Sequence, residues 1–472
     1  MQIFDVFGIS TVNRGSAMIL RFGLSNYLSI ADYQELSFAA SNLQDDPAHL
    51  IEIDSPSIGK ADYLPVVAFY GANAAGKSNF LIGLDAIHDA VSDSFAHSNF
   101  RKKANPEGKG PLIGYRPCEL SPECRDKNIH LDIDVLIDGV RYHYGFEANK
   151  SGYVKEWLYA YPKKARQIIF VRDFDDEEEP FEPGAVLRTK LDGTLRSLAH
   201  DKSFLFLSAA GSLKNPILEP IYEYFSKQIV FLHDVERAKA SILAGQLQDE
   251  RIKNFVVRFL EAVDSGIVDI EIKEVERTDE ERRAFAGMMS AIEKALKELR
   301  PDAPDVPIET NSKDYSIELI HEGIDGERFS LGLGMESSGT LHLLSILTPV
   351  LNALERGQTL VIDEITTSLH TMVSQELIKL FSNREINRSG AQFVFSTHDT
   401  NLLSSDLLRR DEIWFAEKDG AGRTNAYPLT DFKTRKADNI EKGYLQGRFG
   451  GIPYFGDIAA LLGNIAGDQA TK

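Results

Sequence analysis

The chain has 472 residues, 43% of them hydrophobic and 26% charged, the balance of a folded globular protein. No run of about 18 apolar residues occurs, which excludes a membrane-spanning helix, and residues 1–17 carry no basic segment followed by an apolar core, so a cytoplasmic protein is expected. The formal net charge of −19, from 71 acidic and 52 basic residues, argues against a surface that coats nucleic acid, since phosphate neutralisation needs clustered lysine and arginine.

Residues 19–38 alternate apolar and polar side chains, which predicts two antiparallel strands and a turn. The apolar run 63–70 (YLPVVAFY) reads as a strand buried on both faces. A glycine-rich loop follows, then helical spacing from Asn79 to about Val91. Residues 129–147 alternate again around Asp138-Gly139, a hairpin signal, and 154–161 and 167–172 extend the β-rich stretch. Asp132 and Asp134 lie on one of these alternating strands and are expected to face solvent. Cys118 and Cys124 have no histidine at ligand spacing and read as ordinary thiols in a reducing compartment. The acidic run 173–179 reads as a solvated loop.

From Leu195 to about Gln248 the pattern is mainly helical. Residues 278–300 have helical spacing too, ended by Pro301, Pro304 and Pro307, but this stretch is far too short for a long coiled-coil arm. Strands are predicted over 315–321 and 327–331, then a helix over 338–354, a strand over 359–363, a helix over 371–382 and a strand over 392–396. Such alternation implies parallel strands joined by helical crossovers. The expected division is residues 1–100 and 311–472 as two parts of one α/β core, with a β-rich insert over 101–194 and a helical insert over 195–310.

Four motifs carry chemistry. GANAAGKS, from Gly71 to Ser78, fits a phosphate loop with the required strand before it and helix after it. Gly71, Asn73, Ala74, Ala75, Gly76, Lys77, Ser78 and Asn79 would hold the phosphates of ATP, mostly through backbone N–H groups at a helix N-terminus. Lys77 would reach the β- and γ-phosphates, and the Ser78 hydroxyl would ligate Mg²⁺. The strand LVIDE ends in adjacent carboxylates, with Asp363 as a metal ligand through water and Glu364 as the base for the attacking water. A further apolar strand ends in Ser396, Thr397 and His398, where the histidine could donate to the γ-phosphate. Ser337, Ser338 and Gly339, in ESSGT about two dozen residues before Asp363, open an apolar helix with a phosphate-sized cap and no bulky side chain.

At these residues the chain resembles the ABC-type ATPases, and among them the SMC-like heads. The resemblance implies an ABC/SMC-head-type α/β fold with a mixed sheet, and a head-to-tail dimer or higher oligomer. ATP and Mg²⁺ would lie at its interface, and Ser337 and Gly339 would touch the γ-phosphate held by the other copy. Ser368, Leu369 and His370 would occupy the D-loop position. Glu336 and Thr340 stand where transporters have Leu and Gln, so a transporter subunit is not expected; for a Q-loop glutamine Gln167 is a candidate and no more.

Several stretches, including LRFGLSNYLSI, DEITTSLH, STHDTNLL, DEIWFAEKD and GRFGGIP, are similar to short bacterial ATPases related to the overcoming-lysogenization-defect and abortive-infection proteins. No fused Toprim nuclease is expected, because no Asp-x-Asp follows His398. Relatives of this size imply an ATPase in phage defence that answers to a phage-encoded trigger and governs a separately encoded nuclease or toxin. The alternative is a DNA-repair ATPase that binds DNA directly, with Arg101 to Lys103 or Lys163, Lys164 and Arg166 as basic clusters; direct nucleic-acid contact is left open.

Overall fold

The computed structural model of the chain describes residues 17–43, 45, 50–104, 112–120, 122–176, 178–232, 240–263, 265–275, 287–288, 290 and 314–452, with the backbone alone at 99–104, 240, 241, 275 and 314. The helix expected over 278–300 lies almost wholly outside these residues, as do the side chains of Arg101, Lys102 and Lys103. Among the described residues no helix is long and apolar enough to cross a membrane.

The centre is a six-stranded sheet in the order Ile229–Leu232, Thr359–Ile362, Gln392–Thr397, Val66–Tyr70, Ile413–Lys418, Thr424–Pro428. The first five strands are parallel and the last pairs antiparallel to its neighbour. Val66–Tyr70 is buried along its whole length, as its unbroken apolar run predicts. Alternation divides its side chains between two cores. Val67 and Phe69 belong to the cluster shared with the helix Lys77–Ala104, and Val66, Ala68 and Tyr70 to the cluster shared with the helices Ser338–Arg356 and Thr371–Ser382.

The long helix is sandwiched by a second, seven-stranded antiparallel sheet: Phe181–Pro183, Gln167–Asp173, Gly152–Tyr161, Val140–Asn149, Ile129–Ile137, Met18–Ser25, Gln34–Ser37. Phe80, Leu84 and Ile87 of the helix share one core with Phe22, Leu24, Leu131 and Ile133 of that sheet. The hairpin predicted at Asp138-Gly139 turns there, with φ of 49° and 76° at the two residues. Both angles suit the mirror-image turn that follows the twist of the strands. Of the strands in 129–183, Ile129–Ile137 pairs directly onto the N-terminal strand Met18–Ser25, and the others follow it outward in turn.

The described residues of 195–248 are mainly helical as expected, but they also include the strand Ile229–Leu232, which runs parallel to Thr359–Ile362 at the sheet edge. Four apolar residues directly after a helix carry no period that marks a strand; the pairing with a distant segment makes it one. A three-stranded sheet, Ile267–Val275, Asp314–Glu322 and Arg328–Gly332, leads into the helix Ser338–Arg356. That helix ends at Gly357, whose φ of 67° provides the left-handed cap.

Asp132 and Asp134 do not face solvent. Both are 2% exposed. Arg21 ion-pairs with both carboxylates, Arg141 with Asp134 at 2.5 Å, and His143 Nδ1 lies 2.7 Å from Asp134. The Tyr33 hydroxyl donates to Asp132 at 3.0 Å. Alternation assigns these residues correctly to the outer face of the sheet, but long side chains from neighbouring strands fold over them. The two arginines, with the hydrogen bonds from Tyr33 and His143, compensate the buried charge.

Candidate functional site

Parallel strands put all their carboxyl ends at one edge of a sheet, and a ligand crevice forms there. Tyr70 leads into the phosphate loop, Ile362 into Asp363 and Glu364, and Thr397 into His398. The parallel registers Phe395↔Ile362 and Thr397↔Tyr70 bring these three exits to the same level. Segments some three hundred residues apart in sequence meet for that reason.

A cavity of about 320 Å³ opens at this edge, lined by Asn73, Ala74, Ala75, Gly76, Lys77, Ser78, Asn79, Glu364 and Lys418. The loop can take its path only with small residues. Ala74 has φ of 63° and Gly76 φ of 101°. A Cβ on Gly71 would stand 2.4 Å from the Ala416 carbonyl oxygen, and one on Gly76 would stand 2.0 Å from the Thr424 hydroxyl. Lys77 starts the long helix, so its own N–H and those beside it lie at the positive end of the helix dipole.

Lys77 is buried, and its Nζ donates to the Gly71 carbonyl at 3.0 Å. The same Nζ is 3.3 Å from Glu364 Oε1, and the other carboxylate oxygen of Glu364 is 2.8 Å from His398 Nδ1. Lys77, Glu364 and His398 thus form one line of alternating groups at the mouth of the loop. Glu364 sits at φ of 55°, an uncommon angle for a residue with a side chain. It is held there by Ser396, whose hydroxyl accepts from Glu364 N at 2.8 Å and donates to Asp363 Oδ1.

Asp363 and Ser78 are the expected metal ligands. Both offer oxygen, the donor that suits a hard divalent cation such as Mg²⁺. Ser78 lines the cavity, and Asp363 precedes Glu364, which lines it as well. The donor set therefore fits the ion.

Ser337 caps the helix Ser338–Arg356, its Oγ accepting from Thr340 N at 3.0 Å. Glu336 before it is tied to His321 Nε2 at 2.7 Å. Ser337 and Ser338 are exposed, and no residue of 336–340 lines the phosphate cavity of its own chain. Gln167, the Q-loop candidate, begins an outer strand of the antiparallel sheet and does not line it either.

Reading the motifs missed four residues. Thr424 Oγ1 donates to the Ala75 carbonyl at 2.9 Å and lies 2.6 Å from Ser29 Oγ. A hydroxyl has one hydrogen to give, so the hydrogen between Ser29 and Thr424 belongs to Ser29. Ser29 in turn accepts from Asn79 Nδ2. The Gly451 carbonyl accepts from Ala72 N at 2.7 Å. Lys418 enters the cavity from the strand on the far side of the loop. Ser29, Lys418 and Gly451 fall in stretches of family likeness, LRFGLSNYLSI, DEIWFAEKD and GRFGGIP, but no motif assigns them work.

Residues 66–404 match the family model described as "AAA domain, putative AbiEii toxin, Type IV TA system". The chain belongs to this family. It is a P-loop ATPase of the AbiEii-related AAA class, and its match runs from the strand before the phosphate loop to just beyond His398. No curated protein matches it.

Solved structures similar to this AAA-domain chain include the SMC head domain from Thermotoga maritima (12% identity, TM-score 0.38, covering 87% of this chain and 98% of that one). The recombination mediator protein RecF aligns at 15% identity and TM-score 0.34 over 88% and 99% of the two chains. An Smc head domain bound to the C-terminal domain of ScpA, derived from Pyrococcus furiosus, aligns at 13% identity and TM-score 0.38 over 88% and 97%.

Proposed function

We propose that the chain is an ATP-driven switch: two copies close head to tail over ATP, and the closed state controls a separately encoded effector, a nuclease or toxin, in prokaryotic defence against phage. The observation that carries the reading is the line Lys77–Glu364–His398 at the mouth of the phosphate loop, with the cap that starts at the exposed Ser337 and Ser338 left over for another chain's nucleotide. The family description, with its toxin and its type IV TA system, supports the defence role. The alternative of direct DNA repair is not favoured by a chain of net charge −19.

In this reading the loop N–H groups and Lys77 hold the β- and γ-phosphates. Ser78 and Asp363 would hold Mg²⁺, which would neutralise phosphate charge when bound. The γ-phosphate takes over Lys77 from Glu364, because the lysine cannot serve two anions equally well in one position. Glu364 is then free to orient water and accept its proton, and His398, already hydrogen-bonded to Glu364, is beside the phosphate that leaves. The partner copy adds its Ser337 hydroxyl and its Gly339 backbone, as a helix N-terminus facing an anion.

The test is sizing of the Glu364→Gln variant with and without ATP. Removing the base should trap the closed state, giving a dimer or larger species only with ATP. Lys77→Ala should abolish nucleotide binding and defence together. A Glu364→Gln protein that stays monomeric at saturating ATP and Mg²⁺ would sink the closed-dimer reading.

A further inference from the structure

We infer that Lys418 is a second phosphate-binding lysine, contacting the phosphates that ADP keeps rather than the one that is transferred. The inference rests on ATP being the ligand of the phosphate loop. Lys77 and Lys418 are the two cations among the residues lining the cavity, and Glu364 is the one anion. The lining thus carries a formal surplus of positive charge in a chain whose net charge is −19. Lys77 is engaged with Gly71, Ala72 and Glu364. Lys418 is exposed, and among the described residues it has no ion-pair partner.

Its neighbours are built to leave it so. Asp419, the adjacent acid, is used up by the turn: it accepts from the backbone of Ala421 and Arg423 and ion-pairs with Arg423 at 2.8 Å. Glu417 accepts from Gly451 N at 3.1 Å. The base of Lys418 is also fixed relative to the loop. It pairs in register with Thr424, whose hydroxyl holds the Ala75 carbonyl, and two residues earlier the Ala416 carbonyl packs against Gly71.

Position in the sheet assigns the phosphate. Glu364 and His398 follow the strands on one side of Val66–Tyr70, and Lys418 ends the strand on the other side. The γ-phosphate belongs with the groups that attack and sense it, on the Glu364 side. A cation entering from the opposite side meets the remainder of the phosphate chain.

The test compares ATP and ADP affinity, each with Mg²⁺, in wild type, Lys418→Ala, Lys418→Gln and Lys418→Arg. Both neutral variants should bind ATP and ADP about three- to tenfold more weakly, to the same degree, the size of one partly exposed charge-assisted contact. The arginine variant should stay near wild type. In the wild-type protein, ATP and ADP should both protect Lys418 from amine acylation, read by mass spectrometry, a measurement no folding defect can disturb. Unchanged affinities, a loss confined to ATP, or acylation indifferent to nucleotide would each overturn the contact. Wild type that binds no ATP at all would instead overturn the phosphate-loop reading, whereas loss in Lys77→Ala with none at Lys418 would leave it standing.

Discussion

Gly339 lies against the backbone of Ser368: a Cβ on the glycine would stand 2.7 Å from the Ser368 carbonyl oxygen. The helix cap of ESSGT is therefore packed onto the segment after the Asp363-Glu364 strand within one chain, and Ser368 takes a φ of 61° there. Any movement of one is felt by the other. Gly339→Ala must push the two apart. It is expected to lose ATP-dependent self-association, measured by sizing in the Glu364→Gln background, while ATP affinity of the single chain stays within about twofold, because the cap does not line that chain's own cavity.

Ser396 joins the two carboxylates through one hydroxyl, accepting from Glu364 N at 2.8 Å and donating to Asp363. Ser396→Ala leaves the left-handed backbone at Glu364 without its anchor and Asp363 without its donor. Turnover should fall about tenfold or more, with ATP affinity in the absence of Mg²⁺ unchanged, as expected when a group that orients others is removed. Steady-state phosphate release and nucleotide titration separate the two effects.

The donor chain from Asn79 through Ser29 and Thr424 to the Ala75 carbonyl holds the loop open from behind. Thr424→Val keeps the shape and removes the hydroxyl. Ala75 then has an unpaired buried acceptor, which costs about 1–3 kcal/mol. Thermal stability should drop, to be partly restored by bound ATP, and ATP affinity should weaken; equal melting of the two proteins without nucleotide would refute the bracing role.

The outer-sheet network sets a pH dependence far from the cavity. Burial would lower the His130 pKa, but hydrogen bonds and charge from Asp132 and Glu147 override it and raise it to about 9. A raised folded value stabilises fully below the ordinary histidine range and is lost as pH rises through about 9. Asp132, resisted by burial but held by His130 and Arg21, falls to about 2, so its contribution is lost only as pH drops through that value. Melting temperature should therefore decline from about pH 7 to about pH 10, and His130→Gln should flatten that limb. Identical slopes in both proteins would refute the assignment.

The sequence by itself determined the elements whose cause is local. The phosphate loop follows from glycine geometry and a helix start, the Thr371–Ser382 helix from its period, and the Asp138-Gly139 turn from residues that tolerate positive φ. It also determined that Asp363-Glu364 and His398 end buried strands, since unbroken apolar runs need cover on both faces. What only the tertiary structure decided is pairing. Ile229–Leu232 is a strand because Thr359–Ile362 lies beside it. Asp132 and Asp134 are buried because Arg21 and Arg141 reach over them. Thr424, Gly451 and Lys418 reach the phosphate loop because Ile413–Lys418 lies next to Val66–Tyr70. Most of these contacts join residues more than a hundred positions apart, and a one-dimensional pattern gives the side on which a residue points without naming what it meets there.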